Sequence, residues 1–272
     1  MADHDWVSAH VFFHGDLDVL LTDVLVPLAG ELPGEFFFLR YWDGGPHLRV
    51  RARTAAGAGR AEVRRLVGAR FGDYLARNPS ADRWSNATYA PLAAQLAAKE
   101  RVSSPTIALE PNNSVAFLDY EPEHDRYGYG ASMRAVERHF AESSRLALPV
   151  VAMGAPATRR ATLALGCILT AWFVGGFDPA RYASEGEPGR ELELARTARR
   201  LAGQPAGGGA LAYWARSLTE LRTALAGDGT VPAVLNLCAH LICNRLGVSI
   251  TAEAALRRRA AQAVRALPTE GI

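Results

Sequence analysis

Lysine and cysteine are scarce in this sequence. Of the 30 basic residues only Lys99 is a lysine, and the other 29 are arginines. Together with abundant alanine, this bias is typical of high-GC codon usage, so the arginine count by itself indicates no function. The three cysteines, Cys167, Cys238 and Cys243, are odd in number and form no CxxC pair, which argues against a disulfide framework.

Targeting and membrane signals are also lacking. The first residues have no basic region followed by an apolar stretch, so we expect no secretory signal and a cytoplasmic location. The apolar run at 161–177 is at the lower edge of the roughly 17–25 residues of a membrane span and contains three glycines, which favours a buried helix. No glycine-rich segment precedes Lys-Ser or Lys-Thr, so a phosphate-binding loop is not expected.

Hydrophobic spacing predicts an α+β fold in one domain over 1–272. Strand and helix signals alternate in a mixed part, 1–125, which contains an antiparallel hairpin and packs on a mainly helical part, 126–272. The predicted strands are 8–14, 36–42, 47–51, 106–109 and 115–120, with helices at 17–28 and 61–75 between them. From 131 onwards the period is helical, with further helices at about 158–174, 189–202, 210–225, 231–246 and 251–266.

The predicted hairpin carries a row of arginines. Because side chains alternate on a strand, His47, Arg49, Arg51 and Arg53 share one face, and the residues between them share the other. A hairpin loop with an even number of residues would add Arg40 to the arginine side. Planar guanidiniums in such a row can bind a carboxylate or phosphate bidentately. On spacing alone, a solvated strand face is the ordinary alternative.

Two further segments could contribute to a site. Glu123 and Arg126 are three residues apart at the junction of the two parts, and in a helical turn they can pair, although a surface ion pair is the simpler explanation. In the apolar helix 231–247, Asn236, His240 and Asn244 lie on one stripe and need polar partners or a polar cavity. A core histidine satisfied by its neighbours is the alternative there, and no metal site is expected because Cys238 points away from His240 and Cys243.

Taken in order, these segments resemble the thiopeptide-type bacteriocin biosynthesis family, which includes the C-terminal elimination domain of lantibiotic dehydratases. The resemblance begins at Trp6-Val7-Ser8-Ala9-His10. It continues through the hairpin, the Pro-Glu-x-x-Arg-Tyr-Gly segment and His240 with Asn244-Arg245-Leu246-Gly247, and so covers nearly the whole chain. One departure is Tyr129, which interrupts the usual Arg-Tyr-Gly-Gly, so we expect an altered turn into the next helix.

The resemblance implies a lyase that acts on a ribosomal precursor peptide after a separate tRNA-dependent transferase has esterified its Ser or Thr hydroxyls with glutamate. Elimination of glutamate then leaves dehydroalanine or dehydrobutyrine. No cofactor and no direct binding of nucleic acid or membrane are implied, and homodimerisation is left open. The catalytic residues implied are Arg49, Arg51, Glu123, Arg126 and His240, with substrate-binding roles for Arg40, His47, Tyr127, Asn236 and Asn244.

Two alternatives remain at this stage. Pyridine synthases of thiopeptide pathways have a similar fold, but they join two dehydroalanines in a formal aza-[4+2] cycloaddition. They need not keep the elimination residues. The other alternative is a noncatalytic module that binds a leader peptide or the transferase. For the elimination reading we expect the arginines, the Glu123 region and His240 to converge on one cavity, with the acid and base roles of Glu123 and His240 still interchangeable.

Overall fold

Four antiparallel strands form a sheet in the first part of the chain. The structure is a computed structural model that describes residues 5–55, 59–100, 105–106, 108–182, 186–187, 189–227 and 229–268. The strands are β1 (Trp6–Phe12), β2 (Phe36–Tyr41), β3 (His47–Arg53) and β4 (Ser114–Leu118). Their order across the sheet is β2-β3-β1-β4, and β2 pairs with β3 as a hairpin. The predicted hairpin is therefore confirmed.

Helices accompany the strands in this part of the chain. They are α1 (Leu17–Leu20), which passes through a π-helical turn (Leu21–Leu25) into α2 (Val26–Ala29), then α3 (Arg60–Arg77) and α4 (Asn86–Glu100). The buried residues of α3 are Val63, Val67, Phe71 and Leu75. Their spacing of four residues forms one apolar stripe, and α3 packs on β1 and β4. The sheet face that carries Val50 and Phe117 therefore belongs to the core of this part.

The second part of the chain is helical. Its helices are α5 (His124–Tyr127), α6 (Ala131–Ala152), α7 (Ala157–Gly175), α8 (Glu191–Gly203), α9 (Ala210–Ala224), α10 (Val231–Arg245) and α11 (Ile250–Arg265). A 3-10 turn (Pro179–Tyr182) follows α7. The apolar run at 161–177 forms most of α7, whose side chains are largely buried between neighbouring helices. Among the described residues, no helix combines the length and apolarity needed to cross a bilayer.

The predicted α+β class, with a helical C-terminal half, is confirmed. Residues 1–121 and 122–272 form two compact units, and the expectation of a single domain over 1–272 remains a prediction. Two local expectations differ from the structure. Thr106, Ala108 and Leu109 lie outside any strand, and α4 has no counterpart among the predicted helices. Residue 107 of the predicted strand 106–109 lies outside the described residues. The first four residues, where we expected no secretory signal, also lie outside them.

Candidate functional site

The pairing of three strands builds a cationic surface in the first unit. Arg49 lies opposite His10 on β1, and Arg51 lies opposite Ser8. Because directly opposed residues project to the same side of a sheet, these side chains share one face. We call the side chains of Ser8, His10, His47, Arg49, Arg51 and Arg53 the arginine face. The predicted sharing of one face by the four β3 residues is confirmed.

Aromatic rings hold the guanidiniums of this face in place. The Arg49 guanidinium carbon lies 3.4 Å from the centre of the Tyr41 ring, and that of Arg53 lies 5.5 Å from Trp6. Arg51 lies 5.8 Å from the ring of Tyr120. Such cation–π contacts orient a guanidinium, and Arg53 is held in addition by an ion pair with Glu35 at 3.4 Å. Arg51 is only 9% exposed, so the arginine face is not the solvated strand surface of the simpler interpretation.

Two histidines on the arginine face stay neutral. His47 Nδ1 lies 2.8 Å from the Gly45 carbonyl oxygen and donates to it, while Arg49 Nε donates to His47 Nε2 at 3.3 Å. The His10 ring stacks on that of His47 at 5.0 Å. Burial, together with the nearby arginine charges, lowers the pKa of His10 to about 2 and that of His47 to about 3. The arginines therefore supply the positive charge of this face.

Arg40 does not belong to the arginine face. The connection between Tyr41 and His47 has an odd number of residues, and Arg40 lies opposite Leu48 on the other side of the sheet. There its guanidinium binds Asp18 at 2.6 Å. The placement of Arg40 beside the other arginines, which assumed an even loop, is therefore wrong, and its substrate-binding role stays a prediction without this support.

In the second unit, Glu123 and Arg126 pair as expected. Arg126 Nη1 lies 2.8 Å from Glu123 Oε2, with the two side chains 51% and 54% exposed. Tyr127, the neighbouring residue, is buried with its ring edge-on to Phe140, and burial raises the pKa of its hydroxyl. Tyr127 thus anchors the short helix α5 and leaves the Glu123–Arg126 pair accessible.

Tyr129, which departs from the family pattern, is exposed. Its ring stacks on that of His124 at 4.5 Å, and His124 Nδ1 lies 3.0 Å from the Gly128 carbonyl oxygen. Gly128 and Gly130 on either side have positive φ angles of 82° and 58°, a conformation that glycine adopts without strain. The inserted residue therefore adds an aromatic surface to the turn that leads into α6.

His240 is held by a carboxylate that the sequence did not reveal. Its Nδ1 lies 2.7 Å from Glu253 Oε2. Burial by itself raises the pKa of Glu253, but the hydrogen bond from His240 and the guanidinium of Arg257 outweigh it, so this pKa lies below its ordinary value. An ionised carboxylate only accepts hydrogen bonds. His240 Nδ1 is therefore the donor in this hydrogen bond.

Asn236 belongs to the support of this pair. Its side-chain oxygen accepts hydrogen bonds from Trp172 Nε1 at 3.0 Å and from Arg257 Nη1 at 2.5 Å. Asn236 and His240 thus find hydrogen-bond partners on α7 and α11. Asn244 lies half-buried one turn beyond His240. The substrate-binding roles of both asparagines stay predictions.

Glu253 and Arg257 could have been noticed in the sequence. They lie four residues apart on α11, and both are buried. An acid and a base at i, i+4 usually form a solvent-exposed pair, so the pattern alone does not indicate that they face His240. Within the described parts of the chain, no group of three His, Cys, Asp or Glu side chains is arranged to hold a metal ion.

Comparison with known proteins gives one family and several similar folds. The family described as lantibiotic biosynthesis dehydratase C-term matches residues 6–264. The pyridine synthase TbtD from thiomuracin biosynthesis is 20% identical, with a TM-score of 0.68 over 96% of this chain and 98% of that protein. TsrL is 16% identical, with a TM-score of 0.59 over 96% of this chain and 94% of that protein.

A larger enzyme contains the same fold. The tRNA-dependent lantibiotic dehydratase MibB from Microbispora sp. 107891 is 18% identical, with a TM-score of 0.56. The match covers 97% of this chain but 28% of that dehydratase. At these identities the likeness establishes the fold alone. Among curated proteins, the search found no match.

Proposed function

The chain belongs to the family of lantibiotic biosynthesis dehydratase C-terminal domains, and on this basis we propose that it is a glutamate-elimination lyase. Its substrate would be a ribosomal precursor peptide whose Ser or Thr hydroxyl carries a glutamyl ester made by a separate tRNA-dependent transferase. The observation that carries this proposal is the arginine face, in which Arg51 is buried, Arg49 and Arg53 are half-buried, and two neutral histidines lie beside them.

The chemistry of the reaction matches this surface. Glutamate that is linked through its α-carboxyl leaves as a carboxylate whose conjugate acid has a pKa of about 3.3–3.7, so its departure needs little acid assistance. Removal of the α-proton from the esterified residue is the demanding step. Negative charge then develops on the neighbouring peptide carbonyl oxygen, where a fixed cation stabilises it.

We assign the roles as follows. His240 Nε2 accepts the α-proton, the released electron pair forms the Cα–Cβ double bond, and the Cβ–O bond breaks to free glutamate. Arg49 and Arg51 bind the glutamyl carboxylates or the enolate oxygen. Glu123 and Arg126 orient the ester. In the reverse assignment, Glu123 is the base and His240 the acid.

The direct test is incubation of the purified protein with a glutamylated peptide. We expect free glutamate and a peptide lighter than the unesterified one by one water, both detected by mass spectrometry. Replacing His240 with alanine should lower kcat by about 10²–10⁴-fold if it is the base. An ester that stays intact with the wild-type protein would refute the proposal.

Arg126 has a matched control. Arg145 pairs with Glu142 at the same i, i+3 spacing and at 2.9 Å, with side chains 45% and 27% exposed. Exposed pairs of this kind contribute about 0–1 kcal/mol to stability. R126A and R145A should therefore have similar stability, whereas only R126A should lose elimination activity. Equal activities would remove Arg126 from the site.

A second candidate function is pyridine synthesis. It is favoured by the similarity to the pyridine synthase TbtD, since the match covers 98% of the length of TbtD. Such an activity would join two dehydroalanines of an already dehydrated peptide and release its leader. Retention of Arg49, Arg51, Glu123, Arg126 and His240 favours elimination instead. Macrocycle formation from a dehydrated peptide, with no release of glutamate from an ester, would reverse this ranking.

The noncatalytic alternative predicts a different kinetic pattern. If the arginine face only grips acidic residues of a peptide, R49A should weaken peptide binding. If Arg49 stabilises the transition state, its loss should lower kcat by about 10²–10³-fold with a smaller change in binding. Measuring kcat and the peptide Kd on this one variant separates the two functions.

A further inference from the structure

Glu253 lies where it can control the chemistry of His240. Its side chain is 8% exposed, whereas that of His240 is 36% exposed. One carboxylate oxygen accepts from His240 Nδ1 at 2.7 Å, and the other accepts from Arg257 Nε at 2.8 Å. The buried acid thus holds one nitrogen of a ring that remains accessible to a substrate.

The carboxylate itself is held by a chain of polar contacts across three helices. Besides Glu253, Arg257 binds both the side-chain and the backbone oxygen of Asn236, at 2.5 and 3.3 Å. Asn236 also accepts from Trp172 Nε1 on α7. Because every member of this chain has a partner, the carboxylate has little freedom to rotate away from His240.

We propose that Glu253 is a positioning residue that fixes the proton of His240 on Nδ1 and so makes Nε2 the proton-accepting atom. Which ring nitrogen of a histidine carries the proton is set by the hydrogen bond that the other nitrogen makes. The kinetic part of this inference rests on the proposed elimination function. The location of the proton does not.

A purely structural role for Glu253 predicts something different. In that case the acid would only satisfy the buried Arg257, and its loss would lower stability without moving the His240 proton. In E253Q the new amide can donate to Nδ1. That arrangement places the ring proton on Nε2 and removes the lone pair from the accessible side of His240.

Nitrogen-15 NMR of histidine-labelled protein tests this directly, with the His240 signals identified from their loss in H240Q. In the wild-type protein, the neutral ring of His240 should carry its proton on Nδ1. This measurement requires no substitution of Glu253, and a proton found on Nε2 would overturn the inference. In E253Q the protonated nitrogen should change to Nε2 in a substantial fraction of molecules.

The matched control is E191Q. The side chain of Glu191 is 9% exposed and pairs with an arginine of α11, Arg259, so its replacement likewise removes a buried acid from an ion pair. E191Q should leave the His240 signals unchanged. Identical His240 signals in the wild-type protein and E253Q would show that Glu253 does not set the proton position.

Kinetics on a glutamylated peptide extend the test to function. Loss of the carboxylate that holds a catalytic histidine in its tautomer lowers kcat by up to about 10⁴-fold, so we expect E253Q to lose at least about 10²-fold in kcat with KM little changed. E253D, which keeps an acid, should recover part of the rate, and E191Q should stay close to wild type. Undiminished kcat in E253Q refutes the positioning role. If the wild-type protein itself releases no glutamate, the proposed function fails, and the NMR result still decides where the proton lies.

Discussion

Acid should destabilise this protein through His139, which lies on α6 in the second unit. The side chain is buried, with Nδ1 2.7 Å from Ser217 Oγ and the ring 4.8 Å from that of Trp214. Burial first, and then the positive charge of Arg245, lowers the pKa of His139 to about 3. The folded protein therefore keeps this ring neutral across the usual working range.

The size of the effect follows from the two pKa values. In the unfolded chain a histidine has a pKa of about 6.5, so below that pH the unfolded state binds a proton that the folded state does not. The free energy of unfolding then falls as the pH falls, by about 1.4 kcal/mol per pH unit. For His139 the loss is about 2 kcal/mol at pH ~5, and it stops growing only near pH ~3.

The assay is urea unfolding, followed by circular dichroism, between about pH 5 and pH 7.5. H139F keeps a ring of similar size beside Trp214 but cannot titrate, so it should lose about 2 kcal/mol less than the wild-type protein over this range. His10 and His47 titrate in the same direction, but they are present in both proteins and cancel in the comparison.

S217A is the control for the lost hydrogen bond. It should be less stable than the wild-type protein at every pH, by about 0.5–1.5 kcal/mol, with an unchanged dependence on pH. If H139F and the wild-type protein lose the same stability between about pH 7.5 and pH 5, then His139 accepts a proton in the folded state and the reasoning from burial is wrong.

Three further outcomes are expected. Thermal unfolding should show that G72A is more stable than the wild-type protein by about 0.5–1 kcal/mol, because a Cβ at this position in α3 meets no atom within 4 Å and alanine favours helix. G34A should be less stable, because its Cβ would lie 2.6 Å from the Arg53 carbonyl oxygen. S144V should cost about 1–3 kcal/mol in urea unfolding, since Ser144 Oγ accepts a hydrogen bond from the buried Arg245. In a double-mutant cycle on kcat, R49A and H240A together should cost much less than the sum of their separate effects if both act in one chemical step, and full additivity would contradict that.

The sequence predicted the strands and helices better than it predicted which side chains contact one another. Alternation on β3 correctly placed the arginines on one side because it depends only on the strand itself. The side taken by Arg40 depends on the length of the hairpin loop, and that length could not be settled from an Asp-Gly signal alone. A change of one residue in a loop reverses the face of every residue on the following strand.

Helix α4 was missed for a related reason. The segment from Asn86 to Glu100 contains Pro91 and many alanines, so its apolar spacing is weak and proline argues against a helix. The helix is nevertheless tied to the hairpin loop, since the Tyr89 hydroxyl accepts from the Gly44 N–H at 2.7 Å and donates to the Trp42 carbonyl oxygen at 2.9 Å. Such contacts between distant segments carry no periodic signal.

The same limit applies to His240. Its place on the polar stripe of α10 was predictable, and so was its need for partners, but the identity of those partners depends on how α7 and α11 pack against α10. Spacing predicted that Asn236, His240 and Asn244 lie on one stripe. It could not predict that Glu253, rather than either asparagine, binds the imidazole.

Under the proposed elimination function, the choice of base among His10, His47, His139 and His240 rests on how their surroundings differ. An efficient general base has a pKa near the working pH, and the low pKa values of His10, His47 and His139 make these rings poor proton acceptors. Their burial also limits access by a substrate. His240 combines partial exposure with a carboxylate at Nδ1, the arrangement in which a buried acid holds a catalytic histidine in one tautomer. Among these four rings, His240 is therefore the one that we assign as the base of the proposed elimination.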